Sequence, residues 1–284
     1  MSRQLRDILT AATAQLAANP DLRDHARRDA ELLLLHHLDI NRAQLLANPT
    51  RELTEEDEFF YWQSIHRRAS AEPIQYITGQ QEFYGLALHV TPAVLIPRPE
   101  TEHLVEAVLE RLPRNEPLTI IDVGTGSGAI AIALATHLPQ AHITAIDISP
   151  EALAIARRNA EIHHVAGRIH LLHSDLLSAI TGPVDAIVSN PPYIPDHETL
   201  HPQVRNHEPP TALFAGPQGL NIYRRLIPQA HPILKPNGLL ALEIGHGQGE
   251  AITALLADWH NVTFVKDLQQ IPRVALAHNP THQT

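Results

Sequence analysis

The segment Leu118-Thr-Ile-Ile-Asp-Val-Gly-Thr-Gly-Ser-Gly128 is the clearest indication of the fold of this 284-residue chain. Its apolar first half ends in three glycines at alternate positions, and a helix-like apolar segment begins at Ala129. A strand that turns through glycines into a helix is typical of parallel α/β sheets. Glycine permits the sharp turn, and the helix N-terminus offers free N–H groups. The segment therefore predicts a site for a small polar cofactor.

Downstream of Pro92, apolar strands alternate with helix-like segments. We predict a helix at 101–112 and seven strands, at 118–123, 143–146, 169–172, 184–189, 239–244, 262–265 and 274–277. Most strands are separated by a helix, which indicates a doubly wound, largely parallel sheet. The last two strands lie too close for a helical crossover, so we expect an antiparallel hairpin at the sheet edge. This α/β pattern is typical of nucleoside-cofactor folds.

The chain upstream of Pro92 has a different periodicity. Apolar residues recur at helical spacing in the first seventy residues, as Leu5, Ile8, Leu9, Ala12 and Leu16 and then as Leu32, Leu33, Leu35 and Leu38. Thr54-Glu-Glu-Asp57 has the form of a capping box that opens another helix. Alternation from Leu86 to Val90 indicates a β-hairpin. We therefore predict a small helical bundle at 1–72, a hairpin linker at 73–92 and the α/β domain at 93–284.

Composition excludes several classes of protein. The chain has no cysteine, which excludes disulfides, thiolate-bound zinc and a cysteine nucleophile. The net charge of −10 opposes non-specific binding to nucleic acid. No apolar run is long enough to span a membrane, and the first 16 residues lack the pattern of a signal peptide. We expect a cytoplasmic protein that does not associate with membranes.

Acidic side chains follow two of the predicted strands. Asp147 ends the second strand, where a carboxylate can accept both hydroxyls of a ribose. Asp175 follows the third strand and could accept from an adenine amino group. Gly124, Gly126 and Ala129 also satisfy a loose dinucleotide fingerprint, so the glycine loop leaves open both a nicotinamide enzyme and a methyltransferase.

The tetrapeptide Asn190-Pro-Pro-Tyr193 carries the most chemical information. It directly follows strand 184–189, and its two prolines stiffen an extended backbone. The Asn190 side chain and the Pro191 carbonyl then become neighbouring acceptors for the two donors of a planar –NH₂ group. An aromatic face at Tyr193 can stack on that plane. The segment is therefore suited to bind a carboxamide or an exocyclic base amine.

Together with the glycine loop, this tetrapeptide resembles the amino-group class of S-adenosylmethionine-dependent methyltransferases. The segments Glu82–Leu86, Leu95–Glu102 and Leu240–Gly245 further resemble the family of release factor glutamine methyltransferases, over roughly residues 72–273. Adenine methyltransferases share the tetrapeptide but generally lack the Pro97–Thr101 element. The resemblance implies a Rossmann-like seven-stranded methyltransferase domain and methyl transfer from S-adenosylmethionine to the glutamine amide of the Gly-Gly-Gln motif in peptide chain release factors 1 and 2.

The resemblance also implies which residues form the site. We expect the catalytic residues to be Asn190, Pro191 and Tyr193, and the substrate-binding residues to be Asn190, Pro191, Pro192 and Tyr193. We expect the cofactor to be held by Gly124, Thr125, Gly126, Ser127, Gly128, Asp147, Asp175, Leu176 and Asn190. Arg98, Glu100 and Thr101 would shape the pocket entrance. The helical domain would dock the release factor, and we expect a monomer.

Two positions depart from the family pattern. Leu176 stands where the family often has an aromatic residue, which affects the expected stacking on adenine. Gln270 replaces a glycine in the run Asp267–Arg273, so we expect a changed turn there without loss of function.

Other readings compete with this one. Adenine amino-group methylation on nucleic acid is the main alternative, although no Lys/Arg-rich run accompanies it. A catalytically silent adaptor and a nicotinamide dehydrogenase are the others. The 20 histidines include the doublets His36-His37 and His163-His164 but no His-Glu-x-x-His arrangement, so we expect no metal site.

Overall fold

The computed structural model describes residues 4–280. Backbone contacts divide the chain into two compact units, one of residues 1–80 with 200–207 and the other of 81–199 with 208–284. Among the described residues, no helix combines the length and the apolar character that crossing a bilayer requires.

The first unit is helical. Its helices are α1 (Leu5–Ala17), α2 (Ala26–Leu38), α3 (Arg42–Ala47), α4 (Glu55–Ala69) and α5 (Ile74–Thr78). The predicted capping box is confirmed in part: the Thr54 side chain accepts a hydrogen bond from the Asp57 amide, but the Asp57 carboxylate accepts from the Thr54 hydroxyl. The stripe predicted on α2 was wrong in part, since Leu34 is buried whereas Leu32 is 40% exposed. A buried ion pair joins Arg68 to Asp29 at 2.7 Å within this unit.

The predicted hairpin is also present. It consists of β1 (Gln80–Phe83) and β2 (Leu86–His89), joined by Tyr84 and Gly85. Both turn residues have positive φ, 52° and 75°, which is typical of the tight hairpin turn whose twist matches the strands.

A seven-stranded sheet organises the second unit. Its strands are β3 (Thr119–Val123), β4 (His142–Asp147), β5 (Ile169–His173), β6 (Val184–Ser189), β7 (Leu234–Glu243), β8 (His260–Lys266) and β9 (Pro272–His278). Their spatial order is β5-β4-β3-β6-β7-β9-β8. The pairs from β5 to β7 are parallel, whereas β9 runs antiparallel to both β7 and β8. The α/β fold and its terminal antiparallel hairpin are therefore confirmed.

Helices cover both faces of the sheet. The helices of this unit are α6 (Glu102–Leu109), α7 (Ala129–His137), α8 (Pro150–Ile162), α10 (Asn221–Ala230) and α11 (Gly249–Leu255), whereas α9 (Pro202–Arg205) belongs to the first unit. Successive strand residues enter opposite cores: Ile120 packs in the cluster that contains α6 and α7, and Ile121 packs in the cluster that contains α10. This alternation follows from the two-residue period of a strand. Helix α6 ends at Leu109, three residues earlier than predicted.

The turn between β8 and β9 contains Gln270, which has a φ of 66°. Glycine adopts this left-handed conformation without steric cost, whereas glutamine does so with strain. The Asp267 amide donates to the Ile271 carbonyl at 2.9 Å and closes the turn around Gln270.

Candidate active site

The glycine loop lies at the carboxyl end of β3 and leads into α7. The backbone amides of Gly124 and Thr125 both donate to the Ile146 carbonyl, at 2.8 and 2.9 Å, so the loop folds back over the end of β4. Gly124 has a φ of 74°, and Gly128 has a φ of 83°. A Cβ on Gly128 would lie 3.2 Å from the Cβ of Ala156, so only glycine fits both the turn and the packing.

The Asp122 side chain stabilises this loop by hydrogen bonds. Its Oδ2 accepts from the Thr125 hydroxyl at 2.7 Å and from the Ala131 amide at 3.2 Å. Its Oδ1 has no hydrogen-bond partner among the described residues. Burial raises the pKa of this carboxyl to about 7, because the surrounding apolar core disfavours its charge. Asp122 is therefore a structural support that does not reach the cavity.

Asp147 lies at the end of β4 and faces the same edge. Its Oδ2 accepts from the Gly126 amide at 2.8 Å, and its Oδ1 accepts from the Ser149 amide at 2.9 Å. Each carboxylate oxygen retains further acceptor capacity, which two neighbouring hydroxyl groups could use. Partial burial raises the pKa of Asp147, and the two backbone bonds oppose that shift.

The tetrapeptide Asn190–Tyr193 lies next to the glycine loop. Strands β3 and β6 are parallel with Val123 paired to Ser189, and the Ser189 hydroxyl donates to the Val123 carbonyl at 2.7 Å. This register places Asn190 beside Gly124, so that a Cβ on Gly124 would lie 4.0 Å from the Asn190 carbonyl oxygen. The Asn190 side chain donates from Nδ2 to the Thr101 hydroxyl at 3.0 Å.

Tyr193 is partly buried. Its ring packs against the core that contains α10, and its hydroxyl donates to Glu243 Oε1 at 3.4 Å. Gln248 fixes the backbone here, because its Nε2 donates to the Tyr193 carbonyl at 3.0 Å while its Oε1 accepts from the Gly245 amide at 2.9 Å. Burial raises the pKa of the Tyr193 hydroxyl above its ordinary value, so that hydroxyl stays protonated.

A cavity of about 340 Å³ lies between these segments. Most of the predicted site residues line it, namely Gly124, Gly126, Asp147, Asp175, Leu176, Asn190, Pro191 and Pro192. Thr125, Ser127, Gly128 and Tyr193 lie outside the lining. The structure thus brings the predicted residues to one sheet edge but divides them into residues that face the cavity and residues that support its walls.

The long loop after β6 forms part of the cavity wall. Pro209, Thr211 and Phe214 line the cavity opposite residues 93–95. The side chain of Glu208 anchors the loop: it pairs with Arg98 at 2.6 Å and accepts from the Ile96 amide at 3.3 Å. The sequence did not reveal this pair, because its members are 110 residues apart and no motif spans both of them.

Arg225 is a second residue that the sequence did not reveal. It lines the cavity from α10, and its guanidinium lies 2.6 Å from Asp175 Oδ2. Both side chains are about half exposed, so the pair is a surface ion pair that contributes little stability. Leu176, beside Asp175, has a φ of 51° and presents an aliphatic side chain to the cavity.

A second hollow, of about 480 Å³, lies on α4 in the helical unit. A single helix face lines it, at Glu55, Glu58, Phe59, Trp62, Gln63 and His66. It lacks the convergence of strand ends and backbone amides found at the sheet edge. Within residues 4–280, no three histidine, aspartate or glutamate side chains form a group that could hold a metal ion.

Comparison with known families gives two matches along the chain. The family described as PrmC N-terminal domain matches residues 7–79, and the family described as methyltransferase small domain matches residues 101–206.

Similar proteins agree with these matches. The chain is 48% identical over 259 residues to a protein from Koribacter versatilis named release factor glutamine methyltransferase. The aligned residues cover 90% of this chain and 92% of that protein. The chain is 50% identical over 254 residues to a protein of the same name from Moorella thermoacetica, covering 88% and 89% of the two chains. Among solved structures, the T. thermophilus 16S rRNA N2 G1207 methyltransferase in complex with AdoMet and guanosine is 20% identical, with a TM-score of 0.55 over 70% of this chain and 49% of that one. The last similarity concerns the fold alone.

Proposed function

Since the chain belongs to the release factor glutamine methyltransferase family, we propose that it transfers a methyl group from S-adenosylmethionine to a glutamine side-chain amide in peptide chain release factors. The target would be the glutamine of the Gly-Gly-Gln motif. The observation that carries the proposal is the position of Asn190 and Pro191 at the cavity wall beside the glycine loop.

The cavity residues fit S-adenosylmethionine. Gly124 and Asn190 both line the cavity, and Gly124 presents bare backbone there, so no side chain at this position obstructs a ligand. Asp147 offers carboxylate oxygens suited to the two ribose hydroxyls, and Asp175 with Leu176 offers an acceptor and an apolar surface suited to adenine. We propose that Thr125, Ser127 and Gly128 act by shaping the loop.

The substrate amide is a poor nucleophile, because the nitrogen lone pair is delocalised into the carbonyl group. Bound S-adenosylmethionine would supply a methyl group made electrophilic by the sulfonium, and the S–CH₃ bond would break to leave a neutral thioether. We propose that Asn190 Oδ1 and the Pro191 carbonyl accept the two N–H groups of the glutamine amide and aim its nitrogen at that methyl group. The prolines contribute rigidity, since neither can rotate freely about φ or donate a competing N–H.

The proton leaves late in this scheme. No strong base is needed in advance, because the amide nitrogen carries excess positive charge only as the methyl group arrives. The two acceptor oxygens stabilise the N–H groups while that charge develops. We propose that the proton then passes to water.

We further propose the domain boundaries 1–72, 73–92 and 93–284, with the helical domain as the docking surface for the release factor. The protein would act in the cytoplasm as a monomer, without direct contact with nucleic acid or membranes.

One experiment tests the function. The protein is incubated with isotopically labelled S-adenosylmethionine and either purified release factor or duplex DNA, and the label is located by mass spectrometry. We expect label on the glutamine of the Gly-Gly-Gln motif and none on DNA. Transfer to DNA alone would replace the proposed substrate with an adenine amino group, and absence of cofactor binding in calorimetry would favour a silent adaptor.

A further inference from the structure

Residues 209–214, which we call the wall segment, are fastened at both ends. At one end, Phe214 forms a parallel β-bridge with Ile194, the residue after the tetrapeptide. At the other end, the Glu208 side chain bonds to residues 96–98. The residues of the wall segment that line the cavity are Pro209, Thr211, Ala212 and Phe214.

The fastening at Glu208 is a buried carboxylate whose two oxygens both accept donors from one neighbouring segment. Oε1 accepts from the Arg98 guanidinium at 2.6 Å, and Oε2 accepts from the Ile96 amide at 3.3 Å. The Glu208 side chain is fully buried, whereas the Arg98 side chain is 32% exposed. A buried carboxylate is costly unless its oxygens are bonded, so Glu208 tolerates few other positions.

This fastening joins two sides of the cavity. Residues 93–95 line one side, next to the two donors, and the wall segment lines the other. The regular structure of the wall segment is a single 3₁₀ turn, Pro210–Ala212. One turn of helix is not stable by itself, because fixing its backbone costs more than its hydrogen bonds return. The position of this wall therefore depends on the bonds that fasten its ends.

We propose that Glu208 is a positioning residue that keeps the wall segment in place in the ligand-free protein, so that S-adenosylmethionine enters a preformed cavity. The inference rests on the proposed function, in which this cavity holds the cofactor. A ligand that must first order a loop loses part of its binding free energy to that ordering. The apparent Kd then rises as the fraction of molecules with an ordered wall falls. Once the cofactor is bound the wall is in place, so the methyl-transfer step itself should change little.

Glu208→Gln tests the fastening with the smallest change of shape. The new side chain can still accept from the Ile96 amide, but its –NH₂ group opposes the Arg98 guanidinium. Because the Arg98 side chain is partly exposed, it can then turn toward water, and we expect the variant to fold. We expect calorimetry to show a rise of about tenfold in the Kd for S-adenosylmethionine, with kcat at saturating cofactor within about threefold of wild type.

Asp185→Asn is the matched control. Asp185 has the same bonding pattern as Glu208, since it accepts from the Lys235 ammonium at 2.6 Å and from the Thr119 amide at 2.8 Å. These bonds lie at the amino ends of β3 and β6, at the opposite edge of the sheet from the cavity. We expect Asp185→Asn to leave the Kd for S-adenosylmethionine unchanged. An equal rise of Kd in both variants, or an unchanged Kd in Glu208→Gln, would overturn the proposal.

Variants of Arg98 show whether the ion pair is responsible. Arg98→Lys keeps a positive charge beside Glu208 and should raise the Kd less than Arg98→Gln does. In the double variant that combines Glu208→Gln with Arg98→Gln, the rise should match the larger single rise, because both substitutions release one fastening. Rises that multiply would show that the two residues act separately and would contradict the proposal.

Hydrogen exchange of the ligand-free protein separates this inference from the proposed function. We expect the amides of residues 93–98 and 209–214 to exchange faster in Glu208→Gln than in wild type, because a released wall opens to water more often. Asp185→Asn should instead affect exchange at Thr119. This measurement needs neither cofactor nor release factor. Unchanged exchange in Glu208→Gln would refute the inference even if S-adenosylmethionine binds, whereas wild-type protein that binds no S-adenosylmethionine would refute only the function.

Discussion

Two buried carboxyl groups support opposite walls of the cavity, and they differ in where their partners come from. Asp122 bonds to Thr125 and Ala131, three and nine residues further along the chain. Glu243 accepts a hydrogen bond from the hydroxyl of Tyr193, which is 50 residues away. Burial raises the pKa of both carboxyls to about 7, and each has one oxygen without a partner among the described residues.

Two carboxyls with similarly raised pKa values can therefore support different parts of a site. The partners of Asp122 are backbone and hydroxyl groups of one turn, so this carboxyl shapes the cofactor wall. The side-chain partner of Glu243 is Tyr193, the last residue of the tetrapeptide, so this carboxyl supports the wall that would hold the substrate. Four predictions test whether the two walls are as separable as this contrast implies.

The largest effect is expected at the substrate wall. Asn190→Ala removes a positioned acceptor, and we expect turnover to fall by about 10²- to 10³-fold. Cofactor affinity should change far less, because Asp147 and the glycine loop remain intact. Single-turnover methylation and calorimetry measure the two quantities, with the exposed Asn115→Ala as a control. Near-normal turnover of folded Asn190→Ala would end the assignment of its role.

Asp122 and Glu243 should make similar pH-dependent contributions to the stability of the protein. Each pKa is raised above that of the unfolded chain, so the folded state binds more protons between pH 4 and pH 7 and loses stability as pH rises through that range. Between pH 5 and pH 8, ionisation of each carboxyl should lower the free energy of unfolding by about 2 kcal/mol.

Neutral variants separate stability from activity. Asp122→Asn and Glu243→Gln should each flatten the stability profile in denaturant titrations, but only Glu243→Gln should also lower turnover, because its partner Tyr193 belongs to the substrate wall. If Asp122→Asn lowers turnover as well, the two walls are coupled and the contrast fails.

At the cofactor wall, Asp147→Ala should raise the Kd for S-adenosylmethionine by about tenfold, since it removes bonds to hydroxyl groups and to the Gly126 amide. Turnover at saturating cofactor should change little. Calorimetry checks the affinity, and Asp258→Ala, an exposed aspartate on the surface, is the matched control. An unchanged Kd together with a large loss of turnover would show that Asp147 acts at the substrate wall and not at the cofactor wall.

The smallest effect is expected for Arg225→Ala. Its pair with Asp175 is about half exposed, and such pairs contribute about 0–1 kcal/mol. The Kd for the cofactor should change by less than about threefold, and added salt should reduce the difference further. A loss of tenfold or more would show that the guanidinium itself holds the cofactor.

The sequence pattern predicted most of the sheet because strand residues alternate between two cores, as Ile120 and Ile121 do. It also predicted that Asn190 would meet the glycine loop, since parallel strands end at one edge. The sequence pattern did not predict contacts between residues that are distant along the chain. Thr101 was expected at the pocket entrance but is buried behind Asn190, and no motif linked Arg98 to Glu208 or Arg225 to Asp175.

Local chemistry therefore determined the turn at Gly124–Gly128, the stiff backbone at Pro191–Pro192 and the acidic strand end at Asp147, because each depends on neighbours within a few residues. The tertiary structure alone decided which of these groups face the cavity, which carboxyls lose their water, and which hydroxyl meets the Asn190 carboxamide. Burial and long-range hydrogen bonds arise only when separate elements pack, so no stretch of sequence contains them.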